Sequence, residues 1–150
     1  MIKIKGPERI KELTREKTEL DLERALEMLA RKFVATVQDE IRTKNIIDRG
    51  FLLRSIRILR PGRFERDCIS SASHSIICEY GRRPGGKFPP LIELQQWCRR
   101  HGLPMKAAFP IARKIQIYGL PPRPFWRPSV EKTEKERTLV LNKIDRNYKE

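Results

Sequence analysis

The chain of 150 residues is poor in the residues that most often carry chemistry, with three cysteines, two histidines and 7% aromatics. Cys68, Cys78 and Cys98 form no CxxC pair, so neither a secreted disulfide framework nor a zinc ribbon is expected, and reduced, half-buried thiols are the plain reading. Long apolar runs are missing too. None approaches the roughly 20 residues of a membrane helix, and Met1 to Gly6 leads into charge without a signal-peptide hydrophobic stretch. A protein of the cytosol, or one assembled there, is therefore expected. Acidic residues are scarce in one place: residues 46–130 hold five against sixteen basic ones, whereas 6–45 hold nine of each and 131–150 hold five against six. Nearly all of the formal charge of +14 thus falls on the middle segment, and such a surface suits a polyanion, nucleic acid first among them.

With 39% hydrophobic and 35% charged residues, the chain has enough apolar side chains for one domain over 1–150. Met1 to Gly6 alternates apolar and basic residues and suits a short strand or arm. From Pro7 on, Ile10, Leu13, Leu22, Leu26, Leu29, Phe33, Val37 and Ile41 mark one stripe of a long helix. A loss of register near Thr18 and Glu19 predicts a break, with the longer piece over about 19–45. Strands are predicted at about 52–60, 67–71 and 74–80, joined without intervening helices and hence antiparallel. The segment from Gly81 to Pro90, rich in glycine and proline, predicts a flexible loop bearing three cations. Helices are expected at about 91–100 and 110–118, the first stopped by His101-Gly102 and the second by Gly119. Pro121 to Pro128 reads as a stiff arm, and Ser129 as the N-cap of a terminal helix over 129–150. The fold class expected is α+β, a small antiparallel sheet packed by the long helix and several shorter ones. Its core should include Leu26, Leu29, Phe33, Val37, Ile56, Ile77, Leu94, Trp97, Ile111 and Ile115.

Catalysis finds little support. Asp48, His74 and Glu79 offer acid-base groups, but the serines lie in no GxSxG elbow and the middle segment has too few carboxylates for a metal-dependent nuclease. Cys98 and His101 stand at i, i+3, and Cys68, His74 and Cys78 would complete a tetrahedral set, yet their spacing matches no known zinc knuckle. The segment Gly81 to Lys87 resembles a phosphate-binding loop in composition only, since Lys87 is followed by Phe88. No enzymatic activity, metal or cofactor is expected. Arginines are better placed: Arg49, Arg54, Arg57, Arg60, Arg63 and Arg66 recur every three to five residues, and Arg82, Arg83 and Lys87 follow in the loop. Arg54, Arg57, Arg60, Arg63, Arg82, Arg83 and Lys87 are the expected DNA-facing surface, without base-specific readout. The competing reading is that these arginines solubilise a sheet face or pair with acidic neighbours on another subunit.

The order of the punctuating residues carries a resemblance. Asp48-x-Gly50-x-Leu52-x-x-Ser55-Ile56 is followed by Glu79-Tyr80-Gly81 and Pro89-Pro90, then Leu94-x-x-Trp97 before Gly102, Ala112-x-x-Ile115-x-x-x-Gly119, and Pro124-Phe125-x-x-Pro128. Together, over roughly the whole chain, they resemble the phage neck and tail-completion family typified by gene product ten of Hong Kong-type lambdoid phages. The resemblance implies a virion structural protein that joins or completes the tail at the DNA-filled head. As partners it implies further copies in a six-fold or twelve-fold ring, head-completion or connector proteins, tail-tube or tail-terminator proteins, and packaged DNA without sequence specificity. A non-sequence-specific nucleic-acid-binding module is the alternative. Pro124, Phe125, Trp126 and Pro128 are the expected subunit anchor, because aromatics on a stiff segment lose little entropy on docking.

Overall fold

The computed structural model describes residues 7–147, with the side chains of 7–14 and a few near the end of the last helix left aside. The elements are α1 (Pro7–Thr43), α2 (Phe51–Ser55), β1 (Ile56–Leu59), β2 (Asp67–Ser70), α3 (Ser75–Tyr80), α4 (Leu91–Arg100), a 3-10 turn (Met105–Ala107), α5 (Ala108–Tyr118) and α6 (Trp126–Asn147). The expected mixture of long helix, small antiparallel sheet and shorter helices is present. Among the described residues, no helix is long and apolar enough to cross a membrane. The chain divides into two compact units, one from residues 1–72 and 125–150, the other Ser73–Pro124. The arm read over residues 1–6 and the last three residues of the chain lie outside the described residues.

The first unit is built on α1, which runs unbroken through Thr18 and Glu19. Its apolar stripe buries Ala30, Val37 and Ile41, with Leu26, Leu29 and Phe33 half-buried. β1 and β2 pair antiparallel from Ile56 opposite Ser70 to Leu59 opposite Asp67, and this two-stranded hairpin packs on α1. The predicted first strand is half helix. Gly50, in the left-handed conformation at φ 70°, starts α2, whose Leu52 and Ser55 are buried. Ser55 Oγ then donates to Leu52 O at 2.7 Å before the chain extends. An apolar run this short has no period that separates a helical turn from a strand.

α6 also packs on α1. It begins at Trp126 rather than at Ser129, so Ser129 is not its cap; that side chain is fully buried and donates to Phe125 O at 2.6 Å. Pro128 therefore lies inside the first helical turn, where its missing N–H costs nothing because that turn has no intrahelical acceptor. Phe125 is among the most completely buried large side chains, at 1% exposure, and Trp126 meets Phe33 edge-to-face at 5.2 Å. Lys132 pairs with the buried Glu40, and Lys32 with Glu136.

In the second unit the predicted third strand is a helix. Cys78 N donates to His74 O, and Gly81 N to Ile77 O, which closes α3. Ile76 and Ile77 are both exposed and Cys78 and Glu79 both turned inward, so burial does not alternate, and Ile77 is no core residue. α4 packs on α5, and Cys98, Ala108 and Ala112 are buried. Leu94, Trp97, Ile111 and Ile115 are half-buried, while Tyr118 is 72% exposed.

The segment from Gly81 to Pro90 is laced down, not free. Arg82 and Leu120 form an antiparallel bridge, Gly85 N donates to Gln116 O at 2.7 Å, Arg123 N donates to Cys78 O at 2.8 Å, and Phe88 packs on Phe109 with ring centroids 5.8 Å apart. The joint requires two glycines. Gly81 (φ 75°, ψ −169°) and Gly119 (φ 74°, ψ −161°) share a conformation that side-chain-bearing residues avoid. A Cβ on Gly119 would meet Arg82 O at 2.1 Å, and one on Gly81 would meet Leu120 O at 2.5 Å. Gly85 has φ 75° but open space around it. Gly119→Ala is thus expected to destabilise by more than about 2 kcal/mol and Gly85→Ala by about 1 kcal/mol, since only the former adds a backbone clash to the strain. Urea melts of the two variants check this, and equal losses would contradict the packing account.

Candidate polyanion-binding surface

Glu19, Glu23 and Glu27 recur every four residues and so share one face of α1. Arginines from the turn between β1 and β2 reach that face. Arg60 grips Glu27 with two N–H groups at 3.1 and 2.6 Å, and Arg66 Nε reaches the same carboxylate at 3.0 Å. Arg63 donates to Glu19 at 2.8 Å and to Glu23 at 3.5 Å. Arg66 is almost fully enclosed, its side chain 6% exposed, and also donates to the carbonyls of Gly62, Arg63 and Glu65. Arg31 of α1 adds a third guanidinium to Glu27 at 3.0 Å.

These partners correct the expected DNA-facing surface. Arg60 and Arg63 are neutralised by carboxylates of their own chain, so the acidic partners allowed for on another subunit are internal. Hydrogen bonds from Arg60, Arg31 and Arg66, in that order, hold the Glu27 carboxyl down to about 2 against partial desolvation, and the Arg60 guanidinium is raised in turn by Glu27. Glu40 is likewise held low, first by Lys132 and then by Lys44, against the opposing effect of its burial. Burial pushes the thiols of Cys68 and Cys78 up, away from thiolate chemistry.

The other expected cations have different fates. Arg54 and Arg57 stay exposed, Arg54 donating to Arg49 O at 3.0 Å and Arg57 to Ser71 Oγ at 2.9 Å. In the second unit Arg82 turns back to the Lys87 carbonyl, while Arg83 and Lys87 are exposed. That unit carries nine basic residues and two acidic ones, Glu79 and Glu93, so its own carboxylates can neutralise few of them. Arg99, Lys106, Arg113, Lys114 and Arg123 are exposed as well. None of these five belongs to the expected surface, because spacing alone does not separate a cation that faces solvent from one held by a carboxylate.

The expected anchor is not available as drawn. Phe125 is buried, Trp126 is half-buried against Phe33, and Pro124 and Pro128 are half-buried. The chain's own first unit takes up these aromatics. Tyr80 and Tyr118, 68% and 72% exposed, instead stand one residue before the two joint glycines. The only trace of them in sequence is a tyrosine directly before a helix-ending glycine, and that pattern does not distinguish a packed ring from an exposed one.

Asp48 belongs to the first unit and His74 and Glu79 to the second, with Glu79 buried and His74 exposed at the start of α3. Cys98 is buried, while the exposed His101 stacks on Trp97 at 4.3 Å with Nδ1 2.9 Å from the Trp97 carbonyl. Among the described residues, no three His, Cys, Asp or Glu side chains gather as a metal ion would need. Comparison with protein-family models, curated proteins and solved structures gives no match.

Two outcomes follow from the first unit. Because the Glu27 carboxyl is depressed from about 4.5 to about 2 on folding, its contribution is full above pH 4.5 and is lost as pH falls through about 2. Acid titration followed by circular dichroism should show a steeper loss of stability between those values in the wild type than in Glu27→Gln. Phe125→Ala should cost about 3–5 kcal/mol in a urea melt, as removal of a buried aromatic does; a loss below about 1 kcal/mol would return the ring to an interface role.

Proposed function

We propose that the chain is a non-enzymatic structural subunit of a phage neck or tail junction, working in the virion as one copy of a ring. The observation that carries this reading is the joint at Gly81 and Gly119. Glu79-Tyr80-Gly81 and Ala112-x-x-Ile115-x-x-x-Gly119, two of the motifs in the family resemblance, are far apart in sequence and meet there through the Arg82–Leu120 bridge. That two motifs of the resemblance serve one structural purpose in this chain supports the reading.

What the second unit presents also supports assembly. Ile76, Tyr80, Ile92 and Tyr118 are 68%, 68%, 69% and 72% exposed, a large apolar display for a unit of this size, and tyrosine is enriched where partners bind tightly. The exposed cations of the same unit suit a polyanion passing through or along the assembly. α1, with eight basic and nine acidic residues, carries almost no net charge to repel further copies. Rotational closure of head-to-tail contacts then gives a ring, with connector and tail proteins above and below.

Sedimentation velocity over a wide concentration range tests this reading. The wild type should form a closed oligomer, and Tyr80→Ala with Tyr118→Ala should remain folded, with an unchanged circular dichroism spectrum, while shifting to monomer. Wild-type protein that stays monomeric at high concentration would sink the proposal.

A further inference from the structure

A second place in the first unit has the makings of a ligand site that the neck reading does not use. Phe51, Arg54, Ser55, Arg57 and Ser71 line a concavity of about 210 Å³. Phe51 and Arg54 share a face of α2 through i, i+3 spacing. Arg57 projects from β1, and Ser71 stands just past β2, tied to the strand side by its N–H on Ser55 O at 3.1 Å. Unlike Arg60, Arg63 and Arg66, neither Arg54 nor Arg57 has a carboxylate partner among the described residues. Each donates to a neutral oxygen, Arg49 O or Ser71 Oγ, and both residues are exposed. No acidic side chain lines the concavity. Phe51 is 65% exposed, a large exposure for a phenyl ring on an element whose neighbouring Leu52 is buried.

We propose that this concavity binds a nucleotide unit, with a phosphate held between the Arg54 and Arg57 guanidiniums and the adjoining unpaired base stacked on Phe51. Two guanidiniums that line one small hollow, neither held by a carboxylate among the described residues, fit a phosphate, whose oxygens accept N–H donors from each. The Ser71 hydroxyl supplies a further polar contact and braces Arg57. An exposed phenyl face beside a phosphate clamp is the arrangement by which single strands are bound without sequence preference. The packaged DNA of the neck reading is duplex and buries its base faces, so this proposal goes beyond that reading and does not depend on it. The nucleotide unit has two sources, a free nucleotide or a nucleic-acid single strand.

Fluorescence-anisotropy titration of full-length protein with a labelled oligothymidylate, across a range of salt, tests the proposal. Arg54→Gln with Arg57→Gln should weaken binding at least tenfold and reduce the magnitude of the log–log salt slope by about 1.4, two phosphate contacts at about 0.7 each for a single strand. Phe51→Ala should weaken binding several-fold with the slope unchanged, because stacking releases no counterions. All these side chains are exposed, so thermal midpoints should stay at the wild-type value; if the double variant does not fold, Arg54→Gln alone should lower the slope by half as much. Competition by thymidine monophosphate at comparable occupancy assigns the site to free nucleotide, and competition by oligonucleotide alone assigns it to a strand. Inorganic phosphate should compete equally well in wild type and Phe51→Ala. Unchanged affinity in Phe51→Ala or an unchanged slope in the arginine variant would each overturn the proposal. Because Tyr80 and Tyr118 lie outside this concavity, their variant should bind oligothymidylate as the wild type does even if it no longer assembles.

Discussion

The contact between three glutamates of α1 and three arginines of the β-hairpin turn is the constraint on which the first unit depends. A two-stranded hairpin is marginal by itself and needs a surface to rest on. β1 and β2 offer little apolar area for that purpose, with Ile56 their only buried residue. Arg60, Arg63 and Arg66 complete the docking by reaching Glu19, Glu23 and Glu27. An isolated surface ion pair contributes little. Here one carboxylate takes three guanidiniums, one of them nearly enclosed, and the pairs hold each other in place. Breaking one leaves the others with unmatched charge in a partly desolvated cluster.

The ladder also changes where the molecule's charge is felt. Arginines at 60, 63 and 66 make the middle of the sequence look uniformly cationic, but that stretch is matched by acid from a helix more than thirty residues earlier. Field that reaches solvent comes from elsewhere: from Arg54 and Arg57 near α2, and from the Ser73–Pro124 unit with its nine basic and two acidic residues. Net charge by segment is a sound guide to the sign of a surface and a poor guide to its location, since ion pairs join residues distant in sequence.

Legibility in the sequence followed the same division between local and non-local forces. The α1 stripe, the helix at Leu91–Arg100, the strand at 67–70 and the glycine stops at 81, 102 and 119 were readable, because periodicity and backbone conformation are local properties. Ser75–Tyr80 was not. Its Ile-Ile pair favours a strand on propensity, and only the hydrogen bonds closing on Gly81, together with the inward turn of Cys78 and Glu79, favour a helix. Phe125 and Trp126 show a different gap. An aromatic pair after prolines announces that it will be docked, and nothing in the neighbouring residues says whether the receiving surface is Phe33 of the same chain or another protein. Of the expected cationic surface, Arg54, Arg57, Arg83 and Lys87 remain exposed and Arg60 and Arg63 do not keep free charge, which is a matter of partners on α1 that no spacing within 54–66 reveals.

The bond from Arg123 N to Cys78 O and the Arg82–Leu120 bridge tie the beginning of the Ser73–Pro124 segment to its end. In chain-connectivity terms, this makes the segment an insertion with a closed neck, held between β2 and α6. Once that neck forms, the residues between Arg82 and Leu120 contribute no further loop-closure cost to bringing Ala72 and Phe125 into one unit. The amides of Arg82 and Leu120 share one opening event, so their hydrogen exchange should rise and fall together, as members of a single cooperative unit. Length changes inside the neck, in the turns around Gly102, are correspondingly insulated from the α1–α6 packing, whereas a change at either glycine of the neck is transmitted to both strands at once.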